Sequence, residues 1–409
     1  MAGPLTGIRI IDLTSVVMGP FATQILGDQG ADVIKVEAPE GDVFRYVTPF
    51  RHQGMSAAFL NLNRNKRSIA LNLKQESDKQ VMLELIKTAD VLVTTVRPQA
   101  MRKLGLDYDS LQEINPRLIY CGAYGFSEAG PYAGRPAFDD IIQAMSGLAE
   151  LQGRSHPNGP QYTATIFADK TVGITVAYAV AMALFERERS GLGQFVEVPM
   201  FETMVAFTMV EHLAGETYFP AEGSTGYDRL LSEHRHPYQT KDGFIGLLPY
   251  TTKQWQSFFR VAGQPEMIND PRVTDPTIRG QHVGELYRMV TELIATRTTK
   301  EWVEELSTAD VPVTPVLSPD DLLVDEHLRA LNFFPRQQHP SEGEIHGIGI
   351  PVQFSRTPGD IRCCSTPLFV SWPAVPIPES RTVRNRCAER NHRKPARLDH
   401  YSFFYPYRH

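Results

Sequence analysis

The sequence predicts an α/β protein, with a large Rossmann-like domain built on a parallel sheet and a smaller α+β domain. Three observations carry this reading. Across the first 126 residues, short β-branched runs alternate with amphipathic stretches, the pattern of repeated βαβ units. Between about 215 and 235 the chain becomes Gly- and charge-punctuated (GETYFPAEGSTGYDR), as a linker into a second module would be. From 236 a strand pair (HPYQTKDGFIGLLPY) is followed by helical segments instead of further βαβ units.

Ile8 to Leu13 reads as the first strand, and Pro20 to Gly30 as a helix opened by Gly-Pro and closed by Gly. Strands are predicted at Asp32 to Val36, Ser68 to Leu73, Val91 to Val96 and Leu118 to Gly122. Val81, Leu83, Leu85 and Ile86 give Glu76 to Thr88 a helical spacing. Helices are expected from Phe138 to Leu151 and from Asp169 to Arg189, with a turn and strand at Gly191 to Val198. The second module carries helical segments at Lys253 to Val261, Gly284 to Thr296 and Lys300 to Ala309. These limits place the first part of the large domain at 1–215 and the small domain at 236–325.

With 409 residues the chain can bury a sizeable core without disulfides or metals. Its 41 basic and 47 acidic side chains argue against a nucleic-acid binder, whose footprint is basic. Four Cys without CxxC spacing suggest neither a disulfide framework nor a thiolate metal site. No basic start precedes an apolar stretch at the N-terminus, so a cytoplasmic protein is expected. The apolar stretch Thr171 to Phe185 falls short of the ~20 residues of a membrane span, and no membrane association is expected. Residues 381–409 set eight basic side chains against Glu389 and Asp399 without apolar periodicity, and read as a poorly ordered tail.

Gly19, Gly27 and Gly30 do not form GxGxxG, which disfavours a nicotinamide cofactor. Cations cluster instead at strand ends and loops: Arg64, Lys66, Arg67 and Lys74, then Arg97, Arg102 and Lys103. Ligands of open α/β sheets lie beyond the carboxyl ends of the strands, so Lys74 and Arg97 suit a phosphorylated ligand, unless the run is only a solvated face. Asp169, in TIFADKTVG, precedes a helix apolar nearly all round. It reads either as a helix N-cap, held ionised by the helix terminus, or as a carboxylate nucleophile. His234 and His236 beside Glu233 allow a metal pair, but a loop pair without chemistry is favoured, and no metal site is expected.

Several stretches together resemble the class III CoA-transferases, the CaiB/BaiF group. They are IRIIDLTSVVMGPFATQILGDQGADVIKVEAPEGD, LNRNKRSIALNLK, the long run from ADVLVTTVRPQAM to GRPAFD, FADKTVG and ERERSGLGQFVEVPMFE. The resemblance implies that Asp169 is the catalytic residue. It also implies coenzyme A contacts at Val17, Met18, Leu71, Asn72, Leu73, Lys74, Thr95, Val96, Arg97, Lys103, Pro136, Ala137, Phe138 and Asp139. An acyl-CoA and a small carboxylic acid would be the substrates, with no permanently bound cofactor. An interlaced homodimer is implied as well, with 326–380 returning to the large domain.

The sequence departs from the group in three places. Ala38 stands where an Arg often meets the CoA phosphates or adenine. Phe138 stands where the racemase branch has a histidine, so two-base proton exchange lacks a base. After Arg362 the usual Leu-Gly-Glu-His-Thr-like ending is absent. The expected activity is CoA transfer through an aspartyl mixed anhydride and an aspartyl-CoA thioester. The competing readings are a CoA-ester racemase and a non-catalytic acyl-CoA binder.

Overall fold

The computed structural model describes residues 3–154, 157–365 and 368, so the expected basic tail lies outside the described residues. Among them, six strands form the large sheet: β1 (Arg9–Leu13), β2 (Asp32–Glu37), β3 (Lys66–Ala70), β4 (Val91–Thr94), β5 (Ile119–Tyr124) and β6 (Phe195–Pro199). Their order is β3-β2-β1-β4-β5-β6, and every pairing is parallel. Such a sheet must be covered on both faces, which explains why β4 and β5 are buried at every residue.

The α-helices of this part are α1 (Met18–Asp28), α2 (Ala57–Leu62), α3 (Glu76–Lys87), α4 (Pro98–Leu104), α5 (Tyr108–Ile114), α6 (Asp139–Met145), α7 (Leu148–Gly153), α8 (Phe167–Ser190) and α9 (Met200–His212). Strand residues sort by parity, as the two-residue period requires. Ile10, Val33, Val93 and Cys121 pack with Leu26 of α1 and Val172, Val176 and Val180 of α8. Ile11, Ile34, Leu92 and Tyr120 pack on the other face with Met82, Ile86, Met101 and Leu111.

A second sheet, β7 (Tyr238–Gln239), β8 (Phe244–Leu247) and β9 (Val313–Pro315), is antiparallel in the order β7-β8-β9. Helices Thr252–Val261, Val283–Ile294 and Thr299–Thr308 enclose its core of Trp255, Phe258, Phe259, Leu286 and Trp302. Capping boxes at Thr251/Gln254 and Thr298/Glu301 start the first and third of these helices. The chain then forms a hairpin, β10 (Arg336–His339) and β11 (Gly343–His346), and runs back against the large sheet's helices. There Arg362 donates to the carbonyls of Gly27 and Ala31 at 2.6 and 2.9 Å, and Asn65 to that of Asp360 at 2.9 Å.

The structure corrects four local expectations. The helix expected over 138–151 is two helices, α6 and α7, broken at Gly147 with φ +82°. The expected linker holds a turn of helix at Ala214–Thr217 and a short helix at Asp228–Leu231. Arg64 and Lys66 are neither solvated nor ligand-facing: both are buried, paired with Asp28 at 2.6 Å and Asp12 at 3.0 Å. Finally, α8 has 24 residues and is long and apolar enough to cross a membrane by length and composition alone. In this fold one face of it lies in the core, while Met182 and Phe185 on the other are 65% and 67% exposed.

Gly173 sets how closely α8 approaches α1. A Cβ there would sit 2.8 Å from the carbonyl oxygen of Met18, a backbone atom that cannot rotate away. Gly173→Ala is predicted to destabilise the fold by ~1–3 kcal/mol in chemical denaturation, the range for overpacking. Gly280→Ala, on a helix where a Cβ meets nothing within 4 Å, is predicted to be neutral or stabilising by up to ~1 kcal/mol.

Candidate active site

The strand order reverses between β1 and β4, where the chain leaves one strand in each direction. A crevice opens at such a point because the two following connections diverge to opposite faces of the sheet. Here it is a cleft of ≈ 230 Å³. The segments after β1, β4 and β5 line it together with the first turn of α8.

The segment after β1 is held from below by buried charge. Val16 adopts φ +68°, a conformation a β-branched residue reaches only under constraint. Its N–H donates to Asp42 Oδ1 at 3.2 Å, and Lys35 Nζ donates to the Thr14 carbonyl at 2.8 Å while pairing with Asp42 at 3.0 Å. Asp12 accepts from the Thr14 hydroxyl, from the Thr14 N–H at 3.1 Å, from the Thr23 hydroxyl at 2.6 Å and from Lys66 Nζ at 3.0 Å. Burial opposes ionisation of Asp12, but Lys66 and Lys35 beside it bring its pKa down to about 2. Burial outweighs the attraction of Asp12 at Lys66, which falls to about 8. Glu37 extends the network to Arg45 at 2.6 Å and Ser68 at 2.5 Å.

The segment after β5 is fixed by carboxylates and close backbone approach. Glu197 accepts from the Ser127 hydroxyl at 3.1 Å and the Glu128 N–H at 2.8 Å. Glu128 in turn accepts from the Gly134 N–H at 3.2 Å. A Cβ on Gly125 would fall 2.4 Å from the Ala137 Cβ, so glycine lets the two ends of this segment meet beside the cleft.

Asp169 stands in the first turn of α8, 9% exposed, and lines the cleft. It is not the N-cap, since Ile166 holds that position and Asp169 is the third helical residue. Its carboxyl group accepts no hydrogen bond from any of the described residues. The nearby anchor comes from α6: Asp139 Oδ1 accepts from the Asp169 backbone N–H at 3.0 Å, and Asp139 Oδ2 from Gln143 Nε2 at 2.6 Å. Gln143 Oε1 accepts from the Thr163 N–H at 3.0 Å and the Thr163 hydroxyl at 3.1 Å. Burial, and then the Asp139 charge, raise the Asp169 pKa to about 7. The helix terminus therefore does not hold this carboxyl ionised as expected; loss of water outweighs it.

Of the residues singled out from the sequence, Val17, Met18, Thr95, Arg97, Pro136, Ala137, Phe138 and Asp169 converge on the cleft. Leu71, Asn72, Leu73, Lys74, Val96, Lys103 and Asp139 are not part of its lining. Leu71 is buried in the core beyond the sheet, and Lys74 and Lys103 are exposed. His234 pairs with Glu233 at 3.2 Å, the His236 ring lies 5.7 Å from that of Tyr238 at a tilt of 54°, and no metal-binding group of three occurs among the described residues. Sequence reasoning missed Val16, Tyr124, Phe126, Arg135 and Met200 in the lining, and the charges beneath it. A usable signal was present: Asp12 and Lys35 interrupt the apolar strands RIIDL and DVIKVE, which a sheet covered on both faces tolerates only for paired charges.

The sequence profile described as "CoA-transferase family III" matches residues 5–368. The chain belongs to this family. It is 36% identical over 325 residues to the acetyl-CoA:oxalate CoA-transferase of Acetobacter aceti, covering 77% of this chain and 81% of that protein. It is 32% identical over 360 residues to the succinyl-CoA:glutarate CoA-transferase of Mus musculus, covering 86% and 81%. The crystal structure of Rv3272 from Mycobacterium tuberculosis superposes with a TM-score of 0.76 at 30% identity, covering 90% of this chain and 97% of that one. A CAIB/BAIF family protein from Brucella suis gives 0.74 at 29%. The protein is thus a CoA-transferase, which uses CoA thioesters as substrates.

The charges beneath the cleft make a sharp prediction. Asp12→Asn keeps size but leaves Lys66 buried without its anion. At neutral pH this is expected to cost ~3–5 kcal/mol of stability, as for other broken buried pairs, measured by urea denaturation. Because the folded-state pKa of Asp12 is depressed, its contribution is present above the ordinary aspartate value near 3.8 and is lost as pH falls toward 2.

Proposed function

We propose that the enzyme moves CoA from an acyl-CoA to a free small carboxylic acid with Asp169 as covalent nucleophile. The observation that carries this reading is one buried carboxyl, without a hydrogen-bond donor among the described residues, facing the cleft at the switch point of the sheet. A purely structural carboxylate at such depth would be paired.

Asp169 attacks the thioester carbonyl, giving a mixed anhydride and CoA thiolate. The thiolate attacks the aspartyl carbonyl, releasing the donor acid and leaving an aspartyl-CoA thioester. The acceptor carboxylate then displaces the thiolate, and the thiolate takes the acceptor acyl group, restoring Asp169. No water or proton is consumed, so the thioester energy is retained. A carboxylate poorly solvated in its resting state is a stronger nucleophile once ionised, and a pKa of about 7 keeps a large ionised fraction at neutral pH. Amides of the cleft segments and the positive end of α8 supply the oxyanion stabilisation, worth ~3 kcal/mol per donor in comparable sites. Phe126, Ala137, Phe138 and Met200 give the cleft apolar walls that exclude water from the anhydride.

A cleft of ≈ 230 Å³ is smaller than the ~300–1,000 Å³ typical of sites for drug-sized ligands. It fits the pantetheine end and a small acyl group, with Val17, Met18, Thr95, Arg97 and Pro136 to Phe138 as contacts, and leaves the nucleotide outside. The exposed apolar stripe of α8, Ile174, Tyr178, Met182 and Phe185, recurs at helical spacing and supports a homodimer that covers it.

Asp169→Asn is expected to reduce transfer by at least three orders of magnitude in an acyl-CoA and carboxylate exchange assay read by mass spectrometry. Retained transfer would end the nucleophile reading. The raised pKa fixes a second outcome. The Asp169 contribution to stability is full below the ordinary aspartate value near 3.8 and is lost as pH rises toward about 7, because the folded state resists ionisation. The Asn variant escapes this penalty, so above pH 7 it should be more stable than wild type, by on the order of a few kcal/mol. The difference should shrink toward pH 4 in thermal denaturation.

A further inference from the structure

Asp139 is separated from the cleft lining but tied to the nucleophile's own backbone, and this sets it apart from the residues that meet substrate. One of its oxygens accepts the Asp169 N–H at 3.0 Å and the other accepts Gln143 Nε2 at 2.6 Å. Gln143, 1% exposed, passes the restraint on to Thr163 through its Oε1, which accepts both the backbone N–H at 3.0 Å and the hydroxyl at 3.1 Å. The start of α6 is thereby joined, across 20 to 30 residues of sequence, to both the stretch before α8 and the first turn of α8. The N-cap position of α8 is Ile166, which has no side chain able to accept from the exposed N–H groups of that turn. A helix end without such a partner frays, and fraying here would move Asp169 itself.

We propose that Asp139 is a positioning residue that fixes the first turn of α8, and with it the attack geometry of Asp169, in place of the cap that Ile166 cannot provide. The inference rests on the reading of Asp169 as nucleophile and departs from the sequence-based expectation that Asp139 contacts coenzyme A. The arrangement is directional. Gln143 is oriented by its two Thr163 donors, so its amide nitrogen must face residue 139, and residue 139 must present an acceptor to it while presenting a second acceptor to Asp169. A carboxylate meets both demands. An asparagine meets one only, because its amide would face the Gln143 amide, donor against donor.

This logic gives a rescue test. Asp139→Asn should lower kcat by about 10- to 100-fold while KM for the acyl-CoA changes less than about 3-fold, since nucleophile placement is lost and binding groups are untouched. Adding Gln143→Glu reverses donor and acceptor at that contact: the carboxylate introduced at position 143 accepts both from the amide introduced at position 139 and from Thr163. The double variant Asp139→Asn/Gln143→Glu is therefore expected to recover at least a third of wild-type kcat. Circular dichroism and thermal denaturation of both variants establish that folded protein is compared. An effect confined to KM, or no rescue in a folded double variant, overturns the proposal. Asp169→Asn is assayed alongside. If it is inactive while Asp139→Asn keeps wild-type kcat, only the positioning role falls. If it retains transfer, the nucleophile reading falls first.

Discussion

The wall of the cleft formed by the segment after β1 depends on charge buried inside a parallel sheet. Asp12 lies within β1, and its carboxylate is met by Lys66 from β3 and by the hydroxyls of Thr14 and Thr23. Lys35 from β2 bridges the Thr14 carbonyl and Asp42, and Asp42 holds the N–H of Val16. Desolvating these groups is costly, and replacing such a network with apolar side chains would often be neutral for stability. What an apolar core would not supply is a set of acceptors and donors that pins Val16 at positive φ. The network thus accounts for the shape of one wall of the cleft rather than for the bulk of the folding free energy.

The opposite wall is set by packing. Gly173 admits the Met18 carbonyl to within contact of α8, and this places the first turn of α8 beside the segment after β1. The helix terminus then receives its restraint from a different helix, through Asp139. Asp169 ends in a place where water is scarce; among the described residues no donor reaches it, and the charge of Asp139 that acts on it is negative. Each factor makes its ionised form more reactive, and the same factors make it a burden to stability at neutral pH. That opposition is characteristic of a site selected for chemistry.

The large sheet was legible in the sequence because parallel strands carry their pattern locally. The strand at Val91, the helix at Glu76 and the helices of the small domain at Thr252, Val283 and Thr299 fall within one or two residues of expectation. The break at Gly147 was not legible: a short apolar run reads as one helix until the fold demands a turn. At the site, Asp169 could be singled out by type and context, but its depth and its true place in the first turn could not. The buried cations show the limit most clearly. Lys66 and Lys74 stand eight positions apart in one basic stretch, yet one is buried against Asp12 and the other is exposed, and only the three-dimensional course of β1 and β3 decides which. Asp139 and Gln143 are one helical turn apart, but their link to Thr163 and Asp169 is a tertiary fact.

On the proposed mechanism a covalent bond forms to one carboxyl group, that of Asp169. Wild-type enzyme incubated with a series of small acyl-CoA thioesters and then hydroxylamine, digested and read by peptide mass, tests it most directly. Hydroxylamine cleaves an aspartyl thioester at the aspartyl carbonyl, so a competent donor should leave a hydroxamate on Asp169, with free CoA released in equal amount. A hydroxamate on a different residue, or its absence from Asp169 with a donor that supports turnover, would contradict a covalent role for Asp169.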